Sequence, residues 1–519
     1  MNGMLPTHIN MFRKTILTAI ILAVLTVSGY AQPWKLVVHN VENLFDLDEY
    51  AVFQDYRPYD ADGNPQYTPA HVLTKIENTA RLMARYNNGL GPDIIMMVEM
   101  ESDFTPLAGG ERWDHHAILE KYSDITVSAM LGEYLDDDIR DLPSEILLLK
   151  AFEDFGLTGY DLAVAYHRDE NMRPQHVQKN VIYSRLPIHH EKTRSHPVED
   201  ARPILEVWVD VNGHDLVLFN NHWKSQASNA DIENTRVQNA TVLKNRLDEL
   251  RTEDPAVDFI LGGDFNSDYN QSHRYPYMEV TAVNDVLRSV GDERKVKLGN
   301  TDAVYNLWYE HDISMRGSDT FRGYWGTLMQ IMVSPGLYDF RGVQYVDNSF
   351  DVGRFPGKNV HANSLAPIRW HSFGSGGGYS DHLPLSMQFT ITDADDPDRK
   401  LILENPGYND DEDWEPIPVR YNLPDRDDVI MPEMYGQSSI RTGDYFNELM
   451  YITSAISRGF EMTVNGETYG LYSPTFNVRD EFSNIAGSDE KVSIIGRLGM
   501  FRGQWQFVIE DISYVNPGW

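Results

Sequence analysis

Short apolar runs alternate along the chain with stretches whose apolar residues recur every three or four positions. The runs at 35–39, 92–101, 161–166, 180–184, 204–211, 216–220 and 259–261 read as strands, most of them buried on both faces. Helical spacing appears from Pro69, where Val72, Ile76, Ala80 and Met83 share a face before Asn87-Asn88-Gly89 stops it. It returns from Ala230 to about Leu250, with Val237, Ala240, Leu243, Leu247 and Leu250 in line. The signal between 102 and 160 is weaker, and Asp136-Asp137-Asp138 reads as a solvated loop. Residues 267–325 read as loop-rich with one short helix near 283–290, and strands at 330–334 and 384–391 flank a Gly-rich insertion ending GSGGGYSDH. Strands interleaved with helices in this way imply an α/β sandwich.

After about residue 398 the character changes. Residues 401–519 are rich in acids and poor in bases, and alternate at 491–495 and 504–509 like strands of a small all-β unit, OB-like in its closing pattern. Three segments are therefore expected: a leader at 1–31, a catalytic unit at 32–395 and an acidic accessory unit at 401–519. A chain of 519 residues exceeds one ordinary core, in agreement with more than one domain.

The formal charge of −34, from 78 acidic and 44 basic residues, argues against a broad electropositive face for nucleic acid or an anionic membrane. A polyanionic substrate would need local bases or a bound metal. There is no cysteine, which excludes disulfides, thiolate metal sites and a cysteine nucleophile. Export is not excluded, because a chain of this size needs no such staples. Arg13 and Lys14 precede the apolar run 15–27, and Ser28-Gly29-Tyr30-Ala31 puts small residues where a signal peptidase reads. Cleavage after Ala31 is expected, with Met11 a possible start, and no later stretch is long and apolar enough to span a bilayer.

The chemistry gathers at strand ends. In LGGDFNSDYN, residues 261–270, two glycines permit a tight turn, and Asp264 and Asn266 follow two apart, so that a strand end would aim both the same way. A carboxylate and an amide so placed suit a hard cation or a water to be deprotonated. Asn40, Glu99, His222 and the Asp381/His382 pair lie at or beside other strand ends. Together these groups could bind a divalent cation, orient water and steady a phosphorane-like transition state.

The ordered segments NVENLF (40–45), PDIIMMVEME (92–101), NVIYSRLPI (180–188), RPILEV (202–207), NNHWKSQ (220–226), GGDFNSD (262–268) and SDHLPL (380–385) resemble the endonuclease/exonuclease/phosphatase superfamily over residues 34–392. The resemblance implies a four-layer sandwich, two β-sheets face to face with helices outside, and cleavage of a phosphate ester with Mg²⁺ or Mn²⁺. By position it implies Asn40 and Glu99 as metal ligands with Asp381 a further ligand or support, and Asp264 as the residue that activates water, with Asn266 orienting it. His222 and His382 correspond to the pair that contacts the scissile phosphate; Arg202 and Lys224 are further candidate phosphate contacts. One position departs from the pattern. An aspartate is usual where this chain has Met329, in Leu328-Met329-Gln330-Ile331-Met332-Val333-Ser334, and that aspartate would orient and charge His382. Asp319 is a substitute by nearness in sequence. A milder departure is Val98, where glutamine is common.

The expectation is an exported, metal-dependent phosphodiesterase, foremost a nuclease acting on nucleic acid. Two alternatives stand beside it: an enzyme of small phosphate esters or lipid head groups, which the acidic charge favours, and a site impaired at Met329 that serves as a binding module.

Overall fold

The computed structural model describes residues 33–517 apart from 49, 105–112, 172, 298–300, 371–376, 393–414, 425, 431–443, 457–458, 465 and 502–503. The expected leader and part of the Gly-rich insertion lie outside the described residues.

Strand β1 (Trp34–Leu44) is longer than its apolar run, because Asn40 and Leu44 continue the pairing with β2 (Ile94–Glu101). β3 (Asp161–Val164) and β4 (Gln178–Ser184) extend this sheet on one side. The second sheet begins with β5 (Arg194–Val198), β6 (Ala201–Val211), β7 (His214–His222) and β8 (Phe259–Asp264), followed by β9 (Ser289–Val290) and β10 (Val304–Asn306). A small hairpin, β11 (Asp319–Phe321) and β12 (Tyr324–Gly326), precedes β13 (Met329–Val333); β14 (Gly342–Tyr345), β15 (Asp351–Val352) and β16 (Leu385–Thr392) then return to the first sheet. The sheet orders are β14-β16-β1-β2-β4-β3, with β15 on β16, and β5-β6-β7-β8-β13-β10-β9.

Alternation along each strand builds the layers. Leu36, Val38, Ile94, Met96 and Ile182 of the first sheet meet Leu205, Val207, Leu218, Ile260 and Ile331 of the second in one buried core. The intervening residues Val37, Ile95, Met97, Val181 and Tyr183 face outward onto Val72, Ile76 and Ala80 of the helix Pro69–Met83 and Leu148 and Phe152 of the helix Ser144–Asp154. Phe219, Phe259 and Leu261 do the same against Ala240, Leu243 and Leu247 of the helix Ala230–Glu253. The result is the four-layer α/β sandwich.

The two glycines before Asp264 sit inside β8 rather than in a turn. A Cβ on Gly262 would come within 2.9 Å of Val38 across the sandwich, and one on Gly263 would meet Asn221 O at 1.9 Å. They allow close approach of two sheets and of two parallel strands. The acidic triplet is also not a loop: Asp136 accepts from Ile139 N as the N-cap of the short helix Asp137–Arg140, where acids favour the positive end. Near 283–290 there is a π-type turn, Ala282–Val286, ended by left-handed Arg288 before β9.

The C-terminal residues form a second β unit. β17 (Val429–Ile430) flanks β18 (Tyr445–Ile456), β19 (Gly459–Val464), β20 (Glu467–Tyr472), β21 (Lys491–Phe501) and β22 (Gln504–Val508). β20 pairs parallel with β22, and β18 closes onto β21, with the helix Phe476–Ile485 between β20 and β21. That closed five-stranded ring with a helix after its third strand is the OB arrangement. Segment 417–419 joins it to the hairpin: Trp325 N donates to Ile417 O at 2.8 Å and Val419 N to Gly323 O at 2.8 Å. No helix among the described residues is long and apolar enough to cross a membrane.

Candidate active site

β1 and β2 run parallel, as do β7 and β8, so their C-terminal ends meet on one rim of the sandwich. Asn40, Glu99, His222 and Asp264 stand there. Glu99 has a left-handed backbone, φ 65°, where the pairing of β2 with β4 shifts register between Met97 and Met100. Such a bulge re-aims a side chain at a strand end.

Asn40 Nδ2 donates to Glu99 Oε1 at 2.9 Å and to Asp264 Oδ2 at 3.1 Å. His222 Nε2 lies 3.6 Å from Glu99 Oε1 and 3.9 Å from Asp264 Oδ2. His382 Nε2 reaches within 3.7 Å of the same Asp264 oxygen and 3.8 Å of Asp381 Oδ1. Asp264 Oδ2 is thus the atom on which an amide and two imidazoles converge. The segment before β16 is fixed by Ser380, whose Oγ donates to Asn40 O at 2.7 Å and accepts from His382 N at 3.0 Å.

Six of the sequence-derived residues come together in this way; three others sit differently. Asn266 does not point alongside Asp264, because β8 ends and Asn266 turns left-handed, φ 48°. Its backbone N–H donates to Asp264 Oδ1 at 2.8 Å while its amide donates to Trp223 O at 3.1 Å, so it fixes the carboxylate and the turn after His222. Arg202 donates to His222 O at 3.1 Å, to Gln178 Oε1 at 3.1 Å and to Trp223 O. Those bonds leave at most two of its five N–H groups for a phosphate. Lys224 is exposed just beyond His222.

Met329 is buried in register with Asp264, so the usual aspartate is absent from that strand. Asp319, on the hairpin, is one of the carboxylates that raise His382. Its backbone bridges to His382, and Leu383 N donates to Ser318 O at 2.6 Å. Burial pushes the Asp319 carboxyl up to about 6, with His382 drawing it down. Sequence reasoning missed a layer beneath the rim. Glu42 accepts from Trp370 N at 2.6 Å and from Arg369, which also pairs with Asp381 at 3.0 Å. Lys75 donates to Glu42 O at 2.6 Å under the Trp370 ring. The available signal was a lysine inside the apolar stripe of the helix Pro69–Met83.

The two imidazoles differ in charge. Burial pushes His222 well below its ordinary value, and Arg202 and His382 add to the effect. Burial would lower His382 too, but Asp381, Asp264, Asp319 and Glu99 outweigh it and raise the ring to about 9. Two buried titratable groups pushed apart mark an acid–base division. Glu99 is raised by burial and then by Asp381, the signature of more negative charge than the protein itself neutralises. The donor atoms of Glu99, His222 and Asp264 lie within 4.8 Å of one another. This oxygen-rich, partly open cluster fits a divalent cation.

Fold and rim place carboxylates and imidazoles together at one edge of an α/β sandwich. Residues 166–390 match the model of the Endonuclease/Exonuclease/phosphatase family, so the two-sheet unit that holds them resembles that family, whose members hydrolyse phosphate ester bonds. No curated protein matches the chain. Among solved structures, the chain is similar to an endonuclease/exonuclease/phosphatase family protein from Leptotrichia buccalis C-1013-b, at 13% identity over 69% of this chain and 100% of that one, TM-score 0.38. Truncated Caenorhabditis elegans TDP2 overlaps at 13% identity, over 69% and 97% of the two chains, TM-score 0.35. The assignment rests on the matched residues and not on these overlaps.

Proposed function

We propose that the rim is a divalent-metal-dependent phosphodiesterase centre using Mg²⁺ or Mn²⁺, and that its substrate is nucleic acid. The observation that carries this reading is the convergence of a neutral and a cationic imidazole on Asp264 Oδ2. Asp264 accepts the proton of the attacking water, with Asn266 as its positioning residue. His382, as imidazolium, binds the non-bridging phosphate oxygens, and His222 donates a hydrogen bond as a neutral ring. Glu99 and Asp381, with Asn40 beside them, would hold the cation, which supplies charge neutralisation at the phosphate. Lys224 and the remaining Arg202 donors face the flanking phosphates.

Support for a polynucleotide comes from the neighbouring hairpin. Phe321 is 67% exposed at its tip, and the Arg322 guanidinium lies 5.0 Å from the Phe321 ring and 5.3 Å from Phe476 of the C-terminal unit. Aromatic faces interleaved with arginine suit unstacked bases. The net charge of −34 favours the second reading, a small phosphate ester. In this account residues 32–395 are the catalytic unit, 401–519 an accessory unit, and the leader-like 1–31 directs export to the periplasm or beyond.

The test is hydrolysis of plasmid DNA, RNA and bis-p-nitrophenyl phosphate by the protein beginning at Gln32, with Mg²⁺, Mn²⁺ or EDTA. Metal-dependent nicking that falls by about 10³-fold in Asp264→Ala is expected. Turnover of the small diester alone would transfer the proposal to the small-ester enzyme, and silence on all substrates would refute both.

A further inference from the structure

A second cluster of metal-ligating side chains lies at the opposite end of the first sheet. Asp161 opens β3 and is in register with Ser184, which is in register with Ile94 at the start of β2. Glu99 is five residues further along β2, so about 16 Å of strand separates this place from the rim. Asp161 faces His115 and His116, the first two residues of the helix His115–Lys121, and His190, in the turn after β4.

His115 Nε2 lies 3.0 Å from Asp161 Oδ1, and His190 Nε2 lies 2.6 Å from Asp161 Oδ2. The His115 and His116 rings are 4.1 Å apart, and one donor atom each from His115, His116 and Asp161 fall within 4.8 Å of one another. The placement of His115 is the telling feature. Its Nε2 is buried 3.0 Å from one oxygen of a carboxyl that His115 and His190 together hold below its ordinary value, while the exposed His116 ring stands on the same side. With metal bonds of about 2.0 Å, tetrahedral ligands stand roughly 3.3 Å apart. The spacing here needs only small side-chain movement to reach that value. Asp161 and His190 are partly exposed, so an ion can enter.

We infer that His115, His116 and Asp161 form a Zn²⁺ site separate from the rim, with His190 holding the second oxygen of Asp161. Two imidazoles and one carboxylate select zinc over the hard Mg²⁺ expected at the rim. The fourth position is left to water. The hydrogen bond from His190 orients the ligating carboxylate, the usual outer partner of a metal ligand. Bound there, the ion would tie the helix His115–Lys121 to the start of β3 and to the turn after β4.

The experiment titrates the protein with Zn²⁺ in excess Mg²⁺, and with Co²⁺ read by visible absorption. One equivalent of Zn²⁺ and the intense bands of tetrahedral Co²⁺ are expected, both persisting in Glu99→Gln, which alters only the rim. His115→Ala/His116→Ala should abolish the bands, and His190→Gln should weaken Zn²⁺ binding by about 10-fold. His116 is exposed, so His116→Ala alone serves if the double variant does not fold. Zn²⁺ binding unchanged in these variants, or lost in Glu99→Gln, would overturn the inference; so would no binding at all.

Discussion

His222 and His382 are both buried, with side chains 3% and 9% exposed, and both approach the same carboxylate oxygen, yet the two halves of the rim leave one neutral and the other cationic. On the second-sheet half, His222 has the Arg202 guanidinium behind it, and burial keeps the ring neutral. On the other half, four carboxylates surround His382 and overcome the same burial. Depth in the protein does not decide which imidazole is charged. What decides it is the balance of fixed charge facing each ring, and that balance is set by elements far apart in sequence.

The comparison breaks most sharply at Asp319. Asp319→Asn should let His382 fall toward the ordinary imidazole range and cost about 10²-fold in kcat. The wild-type pH–rate profile should rise near 6, where Asp319 ionises, and fall near 9, where His382 loses its proton; in the variant the alkaline limb moves to lower pH. An unchanged alkaline limb would detach Asp319 from the histidine.

Arg202→Met tests the other half. Removing the guanidinium should raise the His222 ring toward its ordinary value and free the carbonyls of His222 and Trp223, at a cost of about 2 kcal/mol in stability, read from thermal melting. A variant as stable as wild type would show that the turn after His222 does not depend on Arg202.

The smallest effect is a mirror image away from the rim. Glu206 is a buried carboxylate facing His196 at 2.6 Å and Arg246 at 2.9 Å. Burial pushes it up, but the bonds from His196, Arg246 and Trp208 prevail and hold it at about 2. A lowered carboxyl contributes stability above its unfolded value of about 4.5 and loses it as pH falls toward 2. Glu206→Gln should therefore flatten the decline of melting temperature across that window, and a decline as steep as wild type would place the acid sensitivity elsewhere.

Much of this was legible in the chain. Strand runs and the helices from Pro69 and Ala230 follow from period, and the six groups that meet on the rim each sit at the end of an apolar run or beside one. What could not be read is what depends on the third dimension. Gly262 and Gly263 look like a turn but serve sheet contact. Asn266 follows Asp264 at strand spacing, yet the strand has ended. Arg202 looks like a free cation and is spent largely on two carbonyls and a glutamine. Asp319 stands out in the chain only by its position, and its worth comes from a backbone bridge to His382 across 63 residues. Glu42 sits unmarked within NVENLF, Lys75 shows only as a lysine in an apolar stripe, and Arg369 carries no motif.

The most direct test is an NMR titration of the His222 and His382 rings, in EDTA, in wild type and Asp319→Asn. The account predicts that His222 titrates well below the ordinary imidazole range while His382 stays protonated until about 9, and that His382 alone moves down in the variant. Two rings that titrate together near the ordinary imidazole value of about 6.5 would contradict the division of charge on which the proposed chemistry rests.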